Sequence, residues 1–219
     1  MSSFITGDLL LRWLHVLFGI TWIGLLYYFN FVQGEYFKEA EASAKADATK
    51  KLAPRALWWF RWGAMFTFIT GVGLLSIVYS AHGIDAYLTI SALMGTLMFL
   101  NVWLIIWPNQ KIVCGIVSGD AAAAAPKALL ASRTNTLFSA PMLLGMLGSF
   151  HGTGGAGDLV AQNAATGTLS VGLIISLLLI AALELNAIFG KLSILTTVKG
   201  VIHSSIGLTI VFLLLLQFV

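Results

Sequence analysis

The chain has 219 residues, 58% of them hydrophobic and 10% charged, with a formal charge of +3 and a mean hydropathy of +0.92. A soluble domain of this composition would lack the polar residues to cover its own core, so the sequence reads as an all-α integral membrane protein. No basic patch is interleaved with aromatics, which excludes nucleic acid as a partner. The lone Cys114 excludes a disulfide, a C-x-x-C metal pair and a C-x-x-C-H haem attachment site.

Six apolar runs approach the roughly 20 residues that cross a bilayer. They cover 9–33, 56–80, 87–107, 136–150, 168–189 and 198–219, the fourth being the shortest. Helices satisfy every backbone group within themselves, so the runs predict about six transmembrane helices packed as one domain over 1–219. The first run is too long for a cleavable signal peptide, and its charge, Arg12, lies inside the run. Residues 34–55 mix acids, bases and alanines before Pro54 and predict a cytoplasmic helical arm between helices one and two. Small residues recur every four positions at Gly63, Thr67 and Gly71 and again at Ser91 and Gly95. That spacing allows close helix contact, or room for a flat cofactor.

The stretch SGDAAAAAPKALLASRTN after helix three predicts an interfacial segment, and HGTGGAGDLVAQNAATG after helix four a glycine-rich outer loop. The latter lacks the strand and lysine of a phosphate-cradling loop. Lys38, Lys45, Lys50, Lys51, Arg55, Lys111, Lys127, Arg133, Lys191 and Lys199 fall in or beside the connections after helices one, three and five, against Arg12 alone on the other side. By the positive-inside rule both termini face outward, as expected of a protein of the bacterial inner membrane.

Inside the first run, Arg12, His15, Gly19 and Trp22 share one helical stripe. Two readings fit it. An imidazole beside a glycine gap, with a cation one turn outward, suits an axial ligand of haem b whose propionate meets Arg12. Alternatively, His15 bonds a neighbouring helix while Arg12 snorkels to headgroups. His151 is expected in the same leaflet and is the candidate second metal ligand, whereas His82 falls in an outer loop. His203 belongs to the inner leaflet. There Glu184, the acid within a predicted span, is expected to pair with it, either as a structural clamp or as a proton or quinone site.

The segments LLRWLHVLFGITWIG, WWFRWGAMFTFITG, SALMGTLMFLNVWLIIWPNQK and RTNTLFSAPMLLGML resemble, in order, the membrane domain of bacterial membrane-bound urate oxidases, the cytochrome c-type urate hydroxylases. The stretch from Asn101 to Lys111, with Pro108 and Gln110, is the most specific part. The resemblance implies a redox setting for His15, and in the family a cytochrome c domain takes the electrons. Here that domain is not seen, the connection between helices two and three is shorter, and Thr89 and Thr134 stand where the family leads one to expect histidines.

Two functions follow as expectations. One is a haem b membrane electron-transfer protein, with His15 and His151 on iron, exchanging electrons with a periplasmic cytochrome c. The other is a non-catalytic accessory or assembly subunit of a larger respiratory or photosynthetic membrane complex, its tryptophans and glycine faces meeting partner helices and membrane lipids.

Overall fold

The computed structural model describes residues 7–151 and 170–219. Among them there is no strand, and six long helices account for most of the chain. These are α1 (Gly7–Glu39), α2 (Ala42–Ala81), α3 (Ala86–Val113), α4 (Ala121–His151), α5 (Val171–Phe189) and α6 (Val198–Phe218). A short 3-10 turn, Ser193–Thr196, lies between the last two. All but α4 are long and apolar enough to cross a membrane.

The sixth expected span is thus present as a helix but fails on composition. The cause is visible in its burial: Arg133, Thr134, Asn135, Thr136, Ser139 and Ser149 are all turned into the protein. Acyl chains would not meet side chains buried in this way, so α4 can be polar at the centre of the bundle. It packs against α1, α3, α5 and α6. Pro141 supplies no N–H, which releases the carbonyl of Leu137 from the helix ladder. The Ser205 hydroxyl of α6 donates to that carbonyl at 2.8 Å. One proline therefore becomes an interhelical bond.

The 34–55 stretch is helical on both sides of a break at Ala40 and Glu41, where the backbone turns extended. Thus α1 and α2 run well beyond their apolar parts and return as a hairpin. Three places in the long helices widen into π-helical turns: Tyr28–Gln33, Ala48–Leu52 and Asn101–Ile106.

The small-residue faces are helix seams. On α2, a side-chain carbon at Gly63 would come within 3.2 Å of the Trp22 backbone nitrogen of α1, and one at Gly71 would meet the His15 ring at 3.0 Å. On α3, Ser91 lies against Gly145 of α4, and Gly95 lies near Met142. Both pairs are antiparallel, and so is α1 against α4, where Tyr27 meets Ser139 at 2.8 Å and Asn30 meets Ser132 at 2.8 Å. The outer half of α1 has few neighbours: Trp22 and Leu26 are its buried residues, whereas Trp13, Val16 and Ile20 are exposed.

Candidate functional site

Polar side chains gather at several points within the apolar bundle, two of them on residues suited to chemistry. The first is His15. Its Nδ1 is 2.9 Å from the carbonyl oxygen of Thr67 and 3.1 Å from Thr70 Oγ1. A carbonyl accepts only, so Nδ1 carries the proton and Nε2 holds the lone pair. The Thr67 and Thr70 hydroxyls donate back to the Gly63 and Phe66 carbonyls, at 2.7 Å each, which holds the α2 surface polar under the ring.

The stripe that suggested a haem is therefore the face on which α1 meets α2. The space beside Gly19 is occupied by the Thr67 methyl, 4.0 Å from where a side-chain carbon would lie, and that beside Gly71 by His15 itself. Arg12 is held by Asp8, with Nε donating at 2.8 Å. His151 ends α4 as an exposed residue. It lies twelve residues outward from Ser139, as His15 does from Tyr27, so the two histidines are at one level, but no hydrogen bond joins them. Among the described residues, no three His, Cys, Asp or Glu side chains come together to hold a metal.

The second centre is buried. Asn101, at the first position of the π-helical turn in α3, donates through Nδ2 to Asn135 Oδ1 of α4 at 3.0 Å and to Glu184 Oε2 of α5 at 3.1 Å. Asn135 in turn donates to the Met98 carbonyl at 2.9 Å, next to the change from α to π geometry. Asn101 and Asn135 are almost fully buried and Glu184 is 8% exposed. One side-chain amide thus ties three helices together.

This corrects the expected pairing of Glu184 with His203. His203 is exposed on the opposite face of α6 from Val201 and Ser205, both buried, and the hydrogen bond of Glu184 goes to Asn101 instead. The hairpin argument placed the two residues at one depth but could not fix the rotation of α6 about its own axis. The glycine-rich loop beyond His151 and the side chain of His82 lie outside the described residues.

Sequence reasoning missed Asn101, Asn135 and Arg133 as a set. Their signal was available: amides and a guanidinium inside or beside apolar runs, where an unpaired polar group is costly. All three lie in the segment where comparison with known families finds a match.

Residues 80–160 match the family described as urate oxidase N-terminal. The middle of the chain is thus similar to the urate oxidase N-terminal family, and the match takes in α3 and α4 with both asparagines of the buried centre. The helix-one and helix-two segments that also resembled that family lie outside the matched residues. No curated protein and no solved structure matches the chain.

Proposed function

We propose that this urate oxidase-related membrane protein acts as an accessory or assembly subunit of a larger redox complex in a bacterial inner membrane. In this reading α3, α4 and α5 form a rigid centre, and the α1–α2 hairpin is a blade for partner helices. The observation that carries it is the His15 seam: the polar residue best suited to chemistry is spent on joining α1 to α2. A bilayer offers no hydrophobic drive for two helices to associate, so a histidine bonded to a carbonyl and close glycine packing supply the contact.

One observation favours a second reading, that of a haem b electron-transfer protein working with a periplasmic cytochrome c. Donation from Nδ1 to a backbone carbonyl is the arrangement that orients metal-bound histidines, and it leaves Nε2 of a half-buried ring able to ligate iron. Such a group would supply one-electron chemistry. His15 would hold it through Nε2.

An absorption spectrum of the protein purified from its native membrane decides between them. The subunit reading expects no Soret band, and His15→Ala should loosen the hairpin, lowering the melting temperature in detergent. A Soret band that His15→Ala abolishes, with reduced-minus-oxidised haem b peaks, would establish the haem reading instead.

The proposal also includes six spans with the 34–55 arm in the cytoplasm. A reporter inserted near Ala46 should then be cytoplasmic and one at Gly83 periplasmic, as the lysine and arginine distribution requires. Both reporters on one side would remove the span drawn for α2.

A further inference from the structure

Arg133 of α4 is 4% exposed, and its Nε and Nη1 find no acceptor among the described residues. A buried guanidinium without an acceptor costs several kcal/mol, so this is a strong demand for an anion. Glu35 does not meet it. Its carboxylate is bonded to Lys38 at 2.8 Å, and no hydrogen bond or ion pair joins it to Arg133.

Depth identifies the anion. Ser132, the neighbour of Arg133, accepts from Asn30 of α1. Phe29, next to Asn30, packs its ring on Phe60 of α2 at 5.5 Å. One or two residues from Phe60 along α2, Trp58 and Trp59 are 46% and 60% exposed, and the Arg61 guanidinium lies 3.8 Å from the Trp107 ring. Exposed tryptophans with cations form the girdle found at headgroup level. Arg133 is therefore a buried cation at the height of the lipid phosphates. Asn30 Oδ1 and Gln33 Oε1, on the α1 turn nearby, are buried without donors and are suited to accept from hydroxyls of a headgroup.

We propose that Arg133 is the core of a phosphate-binding site between the end of α1 and α4, taking the phosphate of a phospholipid headgroup at the inner face. A guanidinium presents parallel N–H donors to two phosphate oxygens, which a lysine ammonium cannot do.

The test uses the full chain, delipidated in a neutral detergent, with phosphatidylglycerol or inorganic phosphate added. Phosphatidylglycerol well above its dissociation constant should raise the melting temperature of the wild type by about 5 °C or more, and native mass spectrometry should show one retained lipid. Arg133→Gln should lose both effects, while being at least as stable as the wild type without lipid, because the unpaired charge is gone. Arg133→Lys, which keeps the charge, should retain part of the shift. A shift with inorganic phosphate equal to that with lipid would assign the site to free phosphate. The proposal is overturned if Arg133→Gln shows the same shift and lipid retention as the wild type, or if neither ligand stabilises the wild type.

Discussion

Replacing Gly145 with alanine is expected to be among the most damaging single-methyl additions this protein could receive. The new carbon would overlap Ser91 Oγ and lie 2.7 Å from the Tyr87 carbonyl oxygen on α3. A hydroxyl can rotate away, but the carbonyl belongs to the backbone and moves only if α3 and α4 separate. Overpacking of this kind costs about 1–3 kcal/mol, and the upper end applies where two backbones must part. For a chain of this length that corresponds to a fall in melting temperature of about 5–10 °C in detergent. Ser91→Gly introduced with it should recover part of the loss and leave the part due to Tyr87. An unchanged melting temperature for Gly145→Ala would mean that α3 and α4 are not in close contact here.

The second large effect concerns the buried amide centre. Asn101→Leu keeps the volume but takes the donor from both Glu184 Oε2 and Asn135 Oδ1. Orphaning buried acceptors costs about 1–3 kcal/mol, and the acid is the more expensive of the two. Glu184→Met alone should cost less, because Asn101 keeps its bond to Asn135. If Asn101 and Glu184 act as a pair, the double variant should be more stable than the sum of the single losses implies, by about 1–2 kcal/mol. Chemical or thermal unfolding in detergent measures all four corners of the cycle. Strict additivity would show that the amide does not support the carboxylate.

The apolar runs predicted where the helices lie because a bilayer imposes one length and one backbone solution on each. The fourth run shows the limit: Thr134, Asn135 and Thr136 make α4 look marginal in sequence, while burial makes it central. Gly63, Thr67 and Gly71 were legible as a close-packing face, and so was the presence of His15 on a stripe with Gly19. What could not be read was the occupant of the gap, since a helix and a porphyrin ask for the same small residues. Rotation about helix axes was equally out of reach. Periodicity locates a stripe on each helix but not its neighbour, so Glu184 was paired with His203 although Asn101, 83 positions away in sequence, faces it.

The π-helical turn at Asn101–Ile106 has a consequence for how readily this protein could change. A π turn holds one residue more than the α-helix it interrupts, so everything after it on α3 is advanced by about 100° around the axis. Upstream, the helix turns Ser91 and Gly95 toward α4; downstream, it brings Trp107 under Arg61. Loss of a single codon between 102 and 106 would therefore leave the amide cluster nearly in place yet swing the inner girdle to another side of the bundle. Gain of a codon elsewhere could do the reverse. Faces that meet lipid and faces that meet partners would be exchanged by indel rather than by substitution, a route that position-by-position comparison of aligned residues does not register.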